Sequence, residues 1–320
     1  MLRFARRGFG SFTMRISFRL VKDVTAVPLH LYMRGTRFLP EWAQRAIVGA
    51  ALAPARASFF LPGNPLRRRV EDLCTLAGRS DAYRVFDEMM GNVALAVRLF
   101  GRLLHAGGEG VLDHVGFDSG VSEVVTRMRR EHGGAIVVVP HCTGSVLSAA
   151  LVGRLLPSVV MARGSKSETR YRIMQRYLER LGPDLIEVRR TPPATVARRI
   201  LDSLRQGKVV IGTTDLIRRK PDTVEARVFG ELAHFPDWPA RFSIRRKVPI
   251  IPAYVFSRDG RFFLTCGEPY LEGDVVAATQ RWVRYFEESI RHWPADWPFV
   301  FEKRWGRLVA SAASARRGSG

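Results

Sequence analysis

From residue 117 onward, short runs of consecutive apolar residues alternate with longer stretches in which apolar residues recur every three or four positions. The short runs predict buried β-strands, and the longer stretches predict amphipathic helices. We predict strands at 135–139, 158–162, 184–188, 208–212, 226–229, 249–256 and 261–266, and helices at 117–132, 144–156, 167–181, 193–206 and 274–292. This alternation predicts an α/β fold with a mixed, mostly parallel central sheet flanked by helices. No helix separates the last two strands, so we expect them to be antiparallel.

The first 105 residues show helical spacing without strands, which predicts a helical N-terminal region. Residues 1–65 form a basic, mostly helical segment that ends in the turn sequence LPGNP. We expect an α/β domain over 66–308, which includes a helical lead-in at 66–105. The last residues, 309–320, are small and polar, and we expect a disordered tail.

Residues 133–153 carry no formal charge and are long enough to cross a bilayer as a helix. However, the stretch begins with a β-branched run, is interrupted by Pro140 and has His141 near its centre. We therefore interpret it as a buried strand, a turn and a buried helix.

The composition is that of a globular protein, with 46% hydrophobic residues, but the formal net charge is +21. Such a charge calls for an anionic partner, which means nucleic acid, an anionic membrane, or an acidic carrier or phosphorylated substrate. No helix-turn-helix, RRM or zinc module is visible in the sequence, which disfavours nucleic acid. The three cysteines form no CxxC pair, which excludes a zinc ribbon and a disulfide scaffold.

The first 22 residues contain six cationic residues, no acidic residue and several interleaved aromatic residues. Arginines interrupt every apolar stretch, which argues against a secretory signal peptide. We favour a membrane-associating segment that lies on an anionic bilayer surface. A mitochondrial-type presequence and a solvated tail remain open as alternatives.

The sequence VVVPHCTGSV at 137–146 places His141 directly after a buried strand and before a helix. Ligands collect at strand carboxyl ends in open α/β sheets, and a neutral imidazole there can accept a proton from an alcohol. The alternative is a structural histidine. A nucleophilic Cys142 is a weaker candidate, and an esterase that uses Ser145 lacks the G-x-S-x-G sequence of hydrolases.

Further polar residues follow other strands of the predicted sheet. Asp215 ends the strand VVIGT and is expected on the same side of the sheet as His141, where a carboxylate would fix the imidazole tautomer. Arg163, Arg189 and Arg218 also follow strands, and guanidinium groups suit phosphate. The alternatives are a turn-capping role for Asp215 and solvated surface charge for the arginines.

Several blocks carry a resemblance to a known family. They are GGAIVVVPHCTGS, VFGELA (228–233), VPIIPAY (248–254) and WPFVFEKRW (297–305). From about residue 66 to Leu308 the chain resembles the bacterial lipid A biosynthesis (late) acyltransferases of the lysophospholipid acyltransferase superfamily. The resemblance implies a glycerolipid acyltransferase-like fold.

The resemblance also implies an activity: an O-acyltransferase that moves a fatty acyl chain from acyl carrier protein or acyl-CoA to a lipid hydroxyl. The acceptor would be a lipid A precursor or another (lyso)phospholipid or glycolipid. The expected location is the cytoplasmic face of the bacterial inner membrane, as a peripheral or monotopic protein. Expected partners are the acyl donor, anionic membrane lipid and the lipid acceptor, with no nucleic acid, no cofactor and no metal.

Carried onto this sequence, the resemblance implies a role for each candidate residue. His141 would be the general base and Asp215 would hold its ring. Backbone N–H groups near Gly144 and Ser145 would stabilise the oxyanion. Arg163, Arg189 and Arg218 would bind phosphate or the donor, and Phe229 and Gly230 would line the acyl groove.

The chain departs from the family in one respect. The first motif of the family is a histidine, four further residues and then an acid. In this chain His141 is the histidine, and Val146 stands at the position of the acid. Either Asp215 orients His141 instead, which we favour, or the protein is a non-catalytic or altered lipid-binding relative at the membrane surface. The C-terminal residues Trp293, Trp297 and Trp305 are interpreted as packing residues, with a membrane interface as the alternative.

Overall fold

The structure is a computed structural model that describes residues 38–103, 110–168 and 182–318, together with Tyr32, Gly35, Tyr171, Arg172, Gln175 and Glu179. Of the basic segment expected at 1–65, residues 1–31 and most of 32–37 lie outside these residues. The same holds for most of the helix that we predicted at 167–181.

A seven-stranded sheet forms the centre of the fold. The strands of the described chain are β1 (Val115–Phe117), β2 (Ala135–Val139), β3 (Ser158–Ala162), β4 (Asp184–Glu187), β5 (Val209–Thr213), β6 (Thr223–Val228), β7 (Glu231–Pro236), β8 (Ile250–Arg258) and β9 (Arg261–Cys266). The order in the central sheet is β1-β9-β8-β2-β5-β3-β4, and only the β8–β9 pair is antiparallel. The predicted mixed, mostly parallel α/β fold is confirmed.

Helices surround the sheet and make up the N-terminal part of the described chain. They are α1 (Glu41–Ser58), α2 (Pro65–Ala77), α3 (Ala82–Leu103), α4 (Val121–His132), α5 (Ser145–Leu155), α6 (Pro193–Arg205), α7 (Trp238–Arg246), α8 (Val275–His292) and α9 (Lys303–Gly318). Short 3-10 turns lie at Leu112–His114, Pro294–Asp296 and Pro298–Phe301. Of the helices in the described part of the chain, none combines the length and the hydropathy that a bilayer crossing requires.

The uncharged stretch 133–153 forms β2, a turn and α5, as the pattern predicted. All five residues of β2 are buried, because the strand lies between β8 and β5 and helices cover both faces of the sheet. A parallel strand buried on both faces has a continuous apolar sequence rather than an alternating one. Because its apolar residues are continuous, the start of this stretch resembles a membrane span.

One predicted strand has a different place. The segment ARVF was assigned to the strand set of the main sheet, but it belongs to β6, which pairs only with β7 in a separate two-stranded hairpin. Phe229 and Gly230 form its two-residue turn, with φ of 51° and 86°. Positive φ at both positions is typical of the type I′ turn that suits the twist of a hairpin.

The prediction of a disordered tail from residue 309 is wrong, because α9 continues to Gly318. Val309, Ala312 and Ala313 are buried, and α9 packs against α2. Arg317 of α9 also forms an ion pair with Asp72 of α2. The small side chains that suggested disorder allow the two helices to approach closely.

Candidate active site

The candidate site begins at the turn after β2. Pro140 ends the strand, and its carbonyl accepts a hydrogen bond of 2.7 Å from the Cys142 N–H. The turn lies against β8 and β9, where a Cβ on Gly144 would come within 2.7 Å of Phe262 and 2.8 Å of Val255. Only glycine fits at this position, and the tight turn places His141 at the carboxyl edge of the sheet.

Asp215 approaches His141 from the end of the neighbouring strand β5. Its Oδ1 forms a short contact with Nδ1 of the His141 ring, and its Oδ2 accepts a hydrogen bond of 2.9 Å from the His141 backbone N–H. The carboxylate is buried, at 1% exposure, whereas 34% of the His141 side chain is exposed. The two residues that the sequence placed at one sheet edge are therefore in direct contact.

The contact determines the tautomer of the histidine. With Nδ1 facing a carboxylate, the neutral ring carries its proton on Nδ1, and Nε2 has a free lone pair. No described residue forms a hydrogen bond with Nε2. Burial alone lowers the pKa of His141, but the charge and the hydrogen bond of Asp215 outweigh it and raise the pKa above its ordinary value.

The groups expected to form the oxyanion site are partly occupied. The Ser145 N–H donates to the Cys142 carbonyl at 3.2 Å, and the Ser145 hydroxyl donates to the same carbonyl at 2.7 Å. Ser145 therefore holds the turn, and neither an esterase nucleophile nor an oxyanion donor is available from it in this arrangement. Among the described residues, none accepts a hydrogen bond from the Gly144 N–H.

Cys142 is buried beneath the turn, and burial raises its pKa well above the ordinary value for a thiol. A nucleophilic cysteine needs the opposite environment, one that is exposed and favours the thiolate. Its position therefore argues against a role as nucleophile.

A cavity of about 520 Å³ lies next to the pair, along the carboxyl ends of β3, β4 and β5. Thr213 and Leu216, which flank Asp215 in the chain, form part of its wall. Its apolar lining comprises Met161, Val188, Pro193, Val196, Ala197, Ile200, Pro236, Trp238 and Phe242. The cavity thus has an apolar interior and lies at the same edge of the sheet as the pair, although neither Asp215 nor His141 is among its lining residues.

All three arginines that the sequence singled out line this cavity, together with Lys220. In the described part of the chain, no acidic side chain forms an ion pair with Arg163, Arg189 or Arg218. The buried Nε of Arg189 also lacks a hydrogen-bond partner there. Burial first, and then the neighbouring Arg218 and Arg189, lower the pKa of Arg163.

One acid, Asp222, also lines the cavity, whereas Glu187 at the end of β4 is bound to the backbone. Glu187 accepts hydrogen bonds of 2.9 Å from the backbone N–H groups of Gly164 and Arg189. Although burial opposes it, these backbone donors and that of Arg190 lower the pKa of Glu187. The Glu187 carboxylate fixes the loops after β3 and β4. The lining of the cavity carries four cationic side chains against one acid, Asp222, and this net positive charge suits an anion.

The expected acyl-groove residues lie elsewhere. Phe229 and Gly230 do not line the cavity. The Phe229 N–H donates to Glu287 at 2.6 Å, and its ring lies 5.2 Å from the Arg291 guanidinium carbon. Both contacts attach the hairpin turn to α8, so Phe229 has a structural role in this arrangement.

Sequence reasoning missed the contribution of the C-terminal segment to the site. The Trp297 indole N–H donates to Asp215 Oδ2 at 3.2 Å, and the Trp305 indole N–H donates to the Asp215 carbonyl at 2.6 Å. The Phe299 ring stacks on His141, with centroids 4.2 Å apart. Trp297 and Trp305 are at most 2% exposed, so a place at a membrane interface is excluded for them. A buried indole N–H normally has a hydrogen-bond partner, so the tryptophans of this segment were the signal in the sequence that it contacts polar groups.

Asp296, in the same segment, is a second buried acid near the site. Its carbonyl accepts a hydrogen bond of 3.0 Å from the Thr143 N–H, and its Oδ1 accepts one of 2.8 Å from Asn92 of α3. Burial raises the pKa of Asp296 to about 7, although hydrogen bonds from Ser257 act in the opposite direction.

The fold and the site together are typical of α/β enzymes that use a histidine base at the carboxyl edge of the sheet. The sequence matches the bacterial lipid A biosynthesis acyltransferase family over residues 75–307, which is more than half of the chain. The chain belongs to this family, and the family implies an acyltransferase of lipid A biosynthesis. No curated protein matches the chain significantly.

Proposed function

We propose that the protein is an O-acyltransferase that moves a fatty acyl chain from acyl carrier protein or acyl-CoA to a hydroxyl of a lipid A precursor. Another (lyso)phospholipid or glycolipid acceptor fits the same chemistry. The observation that carries the proposal is the His141–Asp215 pair near an arginine-lined apolar cavity, with Nε2 unbonded among the residues that the structure describes. The lipid-binding alternative rests on the missing motif acid at Val146. The pair favours catalysis instead, because Asp215 lies where an acid can orient the His141 ring.

In this mechanism, Nε2 of His141 removes the proton from the acceptor hydroxyl as its oxygen attacks the thioester carbonyl. A C–O bond forms, and the carbonyl oxygen becomes an oxyanion. When the intermediate collapses, the C–S bond breaks and the proton on Nε2 passes to the leaving thiolate. General base catalysis of this kind contributes about 10²–10⁴-fold in rate. The Gly144 N–H is the remaining candidate for an oxyanion donor at this turn.

The arginines give the site its preference for anions. Arg163, Arg189 and Arg218 would bind a phosphate of the acceptor or the phosphopantetheine of the donor. Neighbouring strands lie ~4.8 Å apart, so the ends of β2 and β4 are separated by roughly 14 Å. A substrate held by phosphate near Arg189 would extend along this edge toward His141.

The apolar part of the cavity is the candidate site for the acyl chain, in place of the hairpin turn at Phe229. Trp238 defines part of its wall by packing on β5, where a Cβ on Gly212 would come within 2.7 Å of the indole. Acyl chains bind through contact with apolar surface, and the lining residues supply it.

We further propose a peripheral or monotopic location on the cytoplasmic face of the inner membrane. The net charge of +21 favours anionic lipid and an acidic carrier protein. Phe38 and Trp42, at the start of α1, are each 73% exposed, and exposed aromatic residues are common where proteins meet a bilayer surface.

The test is to express the wild type and His141→Ala in a related bacterium that lacks the endogenous gene, and to compare whole-lipid extracts by mass spectrometry. We expect one lipid class to gain an acyl mass with the wild type and not with His141→Ala, which also identifies the acceptor. Unchanged lipids with a folded, membrane-bound wild type would overturn the proposal and favour the lipid-binding alternative.

A further inference from the structure

We propose that Trp297 and Trp305 are positioning residues of the active site, whose indole N–H groups hold Asp215 in the orientation that engages His141. The inference rests on the proposed role of His141 as the base. It assigns the C-terminal segment from Asp296 to Trp305 to the reaction machinery, although this segment lies more than 150 residues after His141 in the chain.

Each oxygen of Asp215 has its own hydrogen-bond partners. Oδ2 accepts from the Trp297 indole N–H at 3.2 Å and from the His141 backbone N–H at 2.9 Å. Oδ1 is thereby directed at Nδ1 of His141. The Trp305 N–H anchors the main chain of the same residue through its carbonyl, at 2.6 Å. Side chain and backbone of Asp215 are thus held from one segment.

Burial makes these donors necessary. Asp215 is 1% exposed, and a buried carboxylate without hydrogen-bond donors is costly. A displaced Asp215 would also leave the imidazolium that forms during the reaction without its counter-charge. The two tryptophans therefore affect the base through Asp215 without touching the substrate.

The contacts are more than a by-product of aromatic packing. Trp282 is also fully buried among aromatic residues, yet its indole nitrogen has no hydrogen-bond partner among the described residues. A buried tryptophan of this protein therefore does not need a hydrogen bond to be accommodated. That two indole N–H groups reach the same aspartate points to a specific function.

The same segment restrains the histidine from its other side. Phe299 stacks on the imidazole with an interplanar angle of 12°, which limits rotation of the ring. The Asp296 carbonyl holds the Thr143 N–H in the turn that carries His141. Both members of the pair are therefore positioned by residues 296–305.

The test compares Trp297→Phe with Trp282→Phe, which makes the same change in size at a buried tryptophan of the same aromatic cluster whose indole N–H does not bond to Asp215. A hydrogen bond to a charged group stabilises it enough that we expect kcat to fall about ten- to a hundredfold in Trp297→Phe. KM for the acyl donor stays within twofold, and Trp282→Phe keeps the wild-type kcat. Trp305→Phe is expected to follow Trp297→Phe.

A second readout needs no turnover. The His141 Nδ1–H that faces Asp215 gives a far-downfield proton NMR signal, assigned by its loss in His141→Ala. We expect this signal to be lost or broadened in Trp297→Phe and retained in Trp282→Phe. If Trp297→Phe does not fold, a benzothienylalanine at position 297 removes only the N–H from an isosteric ring, with the same expectations.

The proposal is overturned if the signal is absent from the wild type, or if it is unchanged in Trp297→Phe. It is also overturned if both tryptophan variants behave alike. Loss of the signal in Trp297→Phe alone, in a protein without acyltransferase activity, would support the positioning role and refute the proposed function. The two failures can therefore be distinguished.

Discussion

At the scale of single residues, the two nitrogens of one imidazole have different tasks. Asp215 occupies Nδ1 of His141, which leaves Nε2 for the substrate. Asp215 needs three donors of its own because it is buried: the His141 N–H and the indole N–H groups of Trp297 and Trp305. In the proposed mechanism, Asp215 from the neighbouring strand takes the place of the acid that is absent at Val146.

The pH dependence of the reaction should follow the pKa of His141. The base must be neutral, so the rate rises with pH through this pKa, and Asp215 places it above the ordinary value of about 6.5. Asp215→Asn removes the charge that raises the pKa and leaves the burial that lowers it. We expect the acid limb of the kcat/KM profile to move to lower pH and the plateau to fall about 10²–10⁴-fold. A limb that stays in place would contradict the pairing.

Asp296 should make stability depend on pH. Its pKa of about 7 lies above the ordinary value of 3.8, so the native state binds a proton that the unfolded state releases between about pH 4 and 7. The free energy of unfolding of the wild type then falls as pH rises through this range, and Asp296→Asn lacks this loss. We expect the variant to gain on the order of 4 kcal/mol relative to the wild type from pH 4 to 7, and no more above it. Urea unfolding curves at several pH values measure this, and a constant difference would refute it.

At the scale of elements, the structure shows which patterns in the sequence were informative. The strands β2, β3 and β9 have the predicted bounds, because short runs rich in apolar and β-branched residues indicate strands. The sequence also predicted that residues after β2 and β5 meet, since parallel neighbours end at one edge. What it did not show depends on tertiary contact: the three-residue strand β1, the strand β7, and the course of the segment 296–305 across the site.

The hairpin β6–β7 and the helix α9 show two kinds of feature that local sequence does not predict. The turn of the hairpin has Phe229 where asparagine or glycine is usual, so its sequence lacks the normal turn signal. The alanines and arginines of α9 favour a helix, but its packing on α2 depends on tertiary contact. Neither the turn at Phe229 nor this packing is visible in local sequence.

The packing of α9 can be tested with one substitution at two positions. Ala313 is fully buried against its neighbours, whereas Ala315 on the same helix is exposed. Leucine at 313 overpacks the contact and should lower the free energy of unfolding by about 1–3 kcal/mol. Ala315→Leu should leave it within about 0.5 kcal/mol. Thermal or urea unfolding measures both, and equal effects would show that the helix does not pack as described.

At the scale of the whole molecule, the strand order places the candidate functional residues side by side along one edge of the sheet. The order β2, β5, β3, β4 places the residues that follow these strands in sequence along one edge, from His141 through Asp215 and Arg163 to Arg189. The base, its orienting acid and the cations thus arise from one topological feature. The excess positive charge of the chain adds a long-range attraction for anionic partners.

Local binding and long-range attraction can be separated with two adjacent arginines. Arg218 lines the cavity, while its neighbour Arg219 is exposed outside it. Arg218→Gln and Arg219→Gln change the net charge equally, so both lose the same long-range attraction. We expect Arg218→Gln alone to raise KM for the phosphorylated substrate, by about tenfold, since a charge-assisted hydrogen bond is lost. Steady-state kinetics at physiological salt measures this, and equal KM values would show that the cavity does not bind the anion.

The central claim is that His141 is the base of an acyl transfer. The most direct test is the rate of transfer from acyl carrier protein or acyl-CoA to the identified lipid, with purified wild type, His141→Ala and the control His132→Ala. His132 lies at the end of α4, away from the site. We expect His141→Ala to lose about 10²–10⁴-fold in kcat and His132→Ala to match the wild type. A His141→Ala variant within a few fold of the wild type would contradict the claim.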